Sequence, residues 1–296
     1  MSEAGAKPRP NELEIVRSER SQARMFAWLS GPALLVILVV VIGPALWLLA
    51  YSFWGRDGLT LANFAELMTP SYAQSMLTTV KLAVLVTVLC AVLGYPLAYL
   101  LLLLRPGLRA LLFCFVLFPL WTSVLVRTYA WQVILQRRGV LNKMLIAAGW
   151  IEQPLSLANS FSATIIGMVH VMLPFLIMPL YASMKAIDPS LMMAAANLGA
   201  SRTRAFWSVF APMSLPGLAA GMIIVFVLAL GFYVTPALLG GGRVITWAMR
   251  IEQSLMISSD WGATSALGVA LILVAGAIMA CMAKFGGLRN ALGAHS

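Results

Sequence analysis

Two histidines, His170 and His295, and three cysteines, Cys90, Cys114 and Cys281, are all that 296 residues offer for metal or thiol chemistry. The cysteines fall in apolar runs with no Cys-x-x-Cys spacing, so they read as small buried hydrophobes, neither a disulfide frame nor a metal site. His170, in Val169-His170-Val171, is the one base inside an apolar run. A Ser/His hydrolase would need it, but no GxSG-type nucleophile turn accompanies it. No GxxxxGKS or GxxxxGKT phosphate loop occurs, so the chain is not expected to hydrolyse ATP. No catalytic residue, metal or cofactor is indicated. What remains is a set of polar groups in apolar surroundings, where ionisable side chains are functional candidates by default. Arg127 with Tyr129 beside Trp131, His170, and Tyr233 with Thr235 in Phe232-Tyr233-Val234-Thr235-Pro236 are candidates for lining a solute path. Plainer roles stand beside these: packing for Arg127, a neutral inter-helix hydrogen bond for His170, and an aromatic interface belt for 232–236.

The surroundings of these groups set the class. Apolar side chains make up 61% of the chain and charged ones 10%, with mean hydropathy +0.92; an ordinary soluble domain has roughly 25% charged residues. The solvent is therefore lipid. Uncharged or nearly uncharged runs at 26–53, 75–104, 110–126, 161–184, 217–239 and 261–283 give six spans, each at or near the roughly 20 residues that cross a bilayer core. With 23 Gly and 15 Pro and no alternating segments, helices rather than a barrel are predicted. The first run is too long for a signal peptide, and Pro32 and Pro44 should kink it. Lys81, near the start of the second run, should snorkel to the interface.

The net charge of +10 reads as topology and not as nucleic-acid binding. Twelve Lys and Arg flank the side that holds both termini, seven flank the other, and Lys81 lies within a run. Both termini are accordingly expected in the cytoplasm of a plasma-membrane protein. The basic cluster from Arg127 to Lys143 runs against this rule and points to a structured outer segment. Residues 1–24 and 286–296 read as cytoplasmic tails around a membrane domain at 25–285.

The most informative segment is a polar-flanked cytoplasmic loop at about 188–212. Asp188-Pro189 is an N-cap followed by a first-turn proline. Gly199 suits the left-handed position after a helix, and Ser201 can cap a second helix ending near Pro212. The first arm carries Leu191, Met192, Met193 and three alanines with no charge. So much aliphatic surface calls for a partner, either the chain's own bundle or a groove on another protein.

Ala194-Ala195, Gly199-Ala200, Phe206, Val209, Pro212 and Leu215-Pro216-Gly217 resemble the cytoplasmic EAA loop of permease subunits of binding-protein-dependent ABC importers. Gly94-Tyr95-Pro96-Leu97-Ala98-Tyr99, Val126-Arg127-Thr128-Tyr129-Ala130, Gly139-Val140-Leu141-Asn142, Leu173-Pro174-Phe175 and Met178-Pro179-Leu180-Tyr181 resemble the spermidine/putrescine type of that family. The resemblance runs from about 26 to 285. It implies an all-α six-span permease of a bacterial inner membrane, paired with a second homologous permease and two ATP-binding subunits. It also implies a periplasmic or extracellular solute-binding protein that delivers the solute. The loop would seat on the ATPase, with Ala194, Ala195 and Gly199 as close-packing positions and 201–209 as the second arm. The family's glutamate falls on Met193, which removes a charge-assisted contact. Polyamine permeases of this resemblance carry Ser-Asp where this chain has Thr235-Pro236, and no acidic residue lies within a span. Polyamine leads as the solute, with an opine, amino-acid-like or organophosphonate solute open.

Overall fold

Lipid offers the backbone no water, so uncharged runs must close their hydrogen bonds within helices. The structure, a computed structural model, describes residues 31–285 except 33, 56 and 57. The expected tails, 1–24 and 286–296, and the start of the first span, 26–30, lie outside the described residues. Helix α1 (Leu34–Tyr51) leads through a minimal ladder, β1 (Trp54–Gly55) antiparallel to β2 (Gly58–Leu59), and a short α2 (Ala62–Leu67) into α3 (Pro70–Leu103). There follow α4 (Pro106–Trp121), α5 (Val124–Leu135), α6 (Val140–Ala147) and α7 (Phe161–Lys185). The remainder comprises α8 (Pro189–Asn197), α9 (Arg202–Leu230), α10 (Val234–Leu239), α11 (Trp247–Gln253) and α12 (Trp261–Phe285).

Among the described residues five helices, α1, α3, α7, α9 and α12, are long and apolar enough to cross a membrane. A sixth span is broken: α4 and the segment that begins with α5 meet at 103°. The third run, predicted as one span over 110–126, is corrected here, because its helix stops at Trp121. Pro119 closes the last turn and Thr122 and Ser123 take extended conformations, so the chain turns before Val124. The fifth run, predicted over 217–239, also divides. Its helix ends at Leu230 with Gly231 as C-cap, and α10 restarts after Tyr233.

Pro212 does not end a helix, contrary to expectation; α9 runs through it. A π-turn at Phe206–Phe210 precedes it, with the Ala211 N–H donating to the Phe206 carbonyl. The shifted register places the residue lacking an N–H where an ordinary α-helical bond has already been forgone. The same device precedes Pro44 in α1, where a π-turn spans Leu38–Ile42. Of the cysteines, Cys90 is buried as expected, whereas Cys114 is exposed on the face of α4. The side chain of Cys281 is outside the described residues.

The core is the three-helix contact of α3, α7 and α9. Apolar helices gain little from burial when lipid is the alternative, so their association rests on close packing and inter-helix hydrogen bonds. Small residues permit that approach. A Cβ added at Gly94 would stand 2.6 Å from Leu176, one at Gly221 2.9 Å from the Leu176 carbonyl, and one at Gly217 would collide with Ser183. The Tyr95 hydroxyl and Ser214 Oγ, 2.9 Å apart, tie α3 to α9. Helix α1 packs on α12, and no residue of its apolar window is buried within the chain.

Candidate functional site

The residues picked out by type fall into two groups, at opposite ends of the bundle. At the end shared by the C-terminus of α7 and the N-terminus of α9 sits the arm, α8. Its start is fixed by the Asp188 side chain, whose Oδ1 accepts from the Ser190 N–H at 2.8 Å, with Pro189 in the first turn. That hydrogen bond favours the charged carboxylate and holds Asp188 below the usual carboxylate range. The arm ends in a Schellman arrangement. The Ala200 N–H reaches the Ala195 carbonyl at 3.0 Å and the Gly199 N–H the Ala196 carbonyl at 2.9 Å, with Gly199 at φ +83°. Ser201 Oγ then accepts from the Arg204 N–H at 3.3 Å and starts α9. Both caps and the left-handed glycine stand where the residue types require.

None of the nine residues of α8 is buried. Met192 turns toward the bundle and packs at the edge of its core, whereas Met193 is 61% and Leu198 89% exposed. Ala194 is exposed and Ala195 and Ala200 are half-buried. Phe206 anchors the turn to the bundle, edge-on to Tyr99 at 5.2 Å between ring centroids and to Tyr95 at 6.4 Å. Pro212 lies exposed six residues farther along α9. A shallow cavity of about 310 Å³ opens between Tyr99, Met193, Ala196, Ala200 and Phe206. The arm thus presents an uncharged, pre-capped apolar face.

Toward the other end, α5 and α10, both too short to span, pack with the first half of α7. Thr128 Oγ1 donates to the Val124 carbonyl at 2.8 Å and lies 3.2 Å from Thr235 Oγ1, which joins α5 to α10. The Trp131 indole N–H donates to His170 Nδ1 at 3.0 Å. Accepting there places the proton of a neutral imidazole on Nε2. Gly167, one turn before His170, lets α10 approach: an added Cβ would stand 2.5 Å from Leu239 and 2.8 Å from Thr235.

Arg127 is only 9% exposed, and its Nε and Nη1 have no hydrogen-bond partner among the described residues. Tyr129 (54%) and Tyr233 (37%) are exposed. Arg127, His170 and Thr235 therefore lie on three helices that pack together, α5, α7 and α10, while the two tyrosines are the more exposed. Thr128 and Gly167 were not among the candidates. Thr128, Trp131 and Leu135, at spacings of three and four, mark the buried stripe of α5 and could have signalled the first. Lys81 carries its ammonium 5.5 Å over the ring of Phe161, the first residue of α7.

The arrangement of spans around an exposed capped arm is matched in known proteins. No family model matches the chain. The spermidine/putrescine transport system permease PotB of Haemophilus influenzae is 35% identical over 259 residues, 85% of this chain and 88% of that protein. PotB of Escherichia coli K12 is 33% identical over 250 residues, covering 82% and 91%. The chain belongs to the spermidine/putrescine-type family of ABC importer permeases. Two crystal structures share the fold. A bacterial ABC transporter involved in alginate import superposes with TM-score 0.74 at 16% identity, covering 92% of the permease described here and 98% of that chain. A bacterial alginate ABC transporter in complex with its pentasaccharide-bound periplasmic protein gives TM-score 0.70 at 17% identity, with 90% and 96% covered. The permease is accordingly a multi-pass membrane protein of the transport class.

Proposed function

We propose that this permease carries a small organic solute inward as half of a translocation path, with α8 as the element that receives work from a separate ATPase. The observation that carries this reading is the arm itself. Nine residues without charge, capped at both ends and unburied, are unfavourable in water by tens of calories per mole per Å². A groove on an ATP-binding subunit would cover them, as a helix seats in an apolar groove elsewhere. The arm then lies in the cytoplasm, both termini with it, and the cluster of Arg127, Thr128, His170 and Thr235 lies in the outer half of the bilayer. A second homologous permease completes the path, two ATP-binding subunits drive it, and a solute-binding protein supplies it. Closure of the ATPases moves α8, and the spans alternate between outward and inward access.

Two measurements test this reading. A cysteine placed at Ser201 should be labelled only from the cytoplasm and one at Ser259 only from outside, and reversed labelling ends the model. The purified permease alone should show no ATPase activity, while the assembled transporter should be stimulated by loaded binding protein.

For the solute, the names of the relatives favour spermidine or putrescine. A second reading has one specific observation behind it: Arg127, a buried cation of the outer cluster, leaves Nε and Nη1 without a partner among the described residues, which suits a solute bearing a carboxylate or phosphonate. Uptake of labelled spermidine and putrescine by reconstituted transporter, set against an opine and an alkylphosphonate, separates the two.

A further inference from the structure

At the end of the bundle away from α8, a polar cavity of about 140 Å³ lies between the first turns of α3 and the segment leading into α11. Its walls include Ser71, Gln74, Ser75 and Thr78 from α3, together with Arg243 and Arg250, and no carboxylate of the described residues lines it. Arg250 is held in place: its Nε donates to Ser75 Oγ at 3.1 Å and its guanidinium stacks 5.4 Å over the Tyr72 ring. Arg243 is exposed, in the turn that follows Gly241 and Gly242, both at positive φ. The segment is fixed against α3 by the Trp247 N–H, which donates to Thr79 Oγ1 at 2.7 Å. Two guanidiniums converge here with hydroxyl and amide donors, one of them preset by packing. That is the chemistry of a carboxylate or phosphate receptor.

Height along α3 separates these anions. From Leu82 to Leu103 the helix is uncharged, a rise of about 32 Å that matches the roughly 30 Å hydrocarbon core. Lys81, over Phe161, marks the upper edge. Ser75 stands about 9 Å and Ser71 about 15 Å above it along the helix, beyond a headgroup layer of about 5 to 7 Å. The floor of the cavity, at Thr78, is level with headgroups, but its two arginines open above them. A lipid phosphate would have to leave its layer to reach Ser71 and Arg243.

We infer that the Arg243 and Arg250 pocket is a docking point that takes an aspartate or glutamate side chain of the solute-binding protein. The inference rests on the importer reading above, which puts this end outside the cell. It adds the residues and the sign of charge: the partner's face must present at least one carboxylate to a receptor held ready on the permease. Being partly exposed and charge-based, the contact should act more on the rate of association than on the lifetime of the complex, and should weaken with salt.

The test uses the assembled transporter in nanodiscs of phosphatidylcholine, with the purified binding protein of the same system flowed over it at two salt concentrations. Arg243→Glu is the first variant, because that side chain is exposed and makes no hydrogen bond that the fold needs. It should lower the association rate about ten-fold or more at low salt, with a shallower salt dependence than wild type. Arg250→Lys, which keeps charge but loses the planar fork, should fall between the two. A compensating Asp→Lys or Glu→Lys change on the binding protein should restore association to Arg243→Glu alone. Unchanged association in Arg243→Glu would overturn the inference while leaving the importer reading intact. A defect that appears only when phosphatidylglycerol is included in the nanodisc would overturn it in favour of a lipid site. Failure of wild type itself to capture the binding protein would take down both readings together.

Discussion

The arm and the outer cluster are built on opposite plans. Helix α8 is apolar and uncovered, capped at its start by Asp188 and closed at its end by the Gly199 and Ala200 N–H groups. The cluster around Thr128, Trp131, His170 and Thr235 is polar and enclosed, and its groups bond to one another across helices. An apolar surface left in water is completed by another protein. Polar groups withdrawn from water are completed by their own chain, and the exception within the cluster, Arg127, is where a ligand is to be sought. One region should therefore govern assembly and the other transport.

Substitutions that keep those two properties apart sharpen the contrast. The largest effect is expected at Gly199, where φ is +83° and no atom of the chain lies within 4 Å of an added Cβ. Valine there meets backbone strain of order 1 to 3 kcal/mol and nothing else within the chain. Gly199→Val should insert normally yet lose most of its co-purifying ATPase, with Gly199→Ala milder. Normal capture and uptake by the valine variant would reduce the arm to an ordinary connection.

Next comes Gly167→Val, whose added atoms strike Leu239 and Thr235. Overpacking of this kind costs about 1 to 3 kcal/mol, so thermal stability in detergent should drop while ATPase capture persists. Trp131→Phe removes the hydrogen bond to His170 at a cost of about 0.6 to 1.7 kcal/mol. It should change uptake kinetics and leave assembly alone, and a parallel loss of ATPase binding would erase the distinction between the regions.

Acid should weaken the N-terminal cap of the arm. Because Asp188 is held below its ordinary range by the Ser190 N–H, its capping contribution is fully present above the unfolded carboxylate value. It is lost as pH falls from about 4 through the lowered value in the folded state. ATPase capture should therefore be flat at neutral pH and decline only in strong acid, and Asp188→Asn, which still offers an acceptor oxygen, should flatten that decline. The smallest change is Met193→Glu, at an exposed position of the arm, which should tighten capture about two- to five-fold. A pull-down titration resolves it.

Much of this was legible because lipid is a strict solvent. Uncharged runs of about 20 residues have few alternatives to a spanning helix, and Asp188-Pro189 and Gly199 announce the ends of α8 through chemistry local to each. The two breaks were less legible. At Thr122-Ser123 and at Gly231 to Tyr233, hydrophobicity continues through the bend, so hydropathy alone carries no mark of it. The pairing of Thr128 with Thr235 joins residues 107 positions apart, and the close approach permitted by Gly167 belongs to packing between helices. Pro212 misled for a physical reason, since a π-turn placed just ahead of it absorbs the missing donor.

That π-turn has a mechanical consequence. Because α9 does not break at Pro212, the 29 residues from Arg202 to Leu230 form one strut, about 43 Å long. It is jointed by glycine at each end: Gly199 just before it, and Gly231 just after it at the entry to the segment that bears Thr235. Pivoting by about 5° at the inner joint would carry the outer joint nearly 4 Å for a rod of that length, more than the 3.2 Å that separates Thr128 Oγ1 from Thr235 Oγ1. A tilt of a few degrees at the arm would therefore be felt at the Thr128–Thr235 contact, at the opposite end of the bundle from α8.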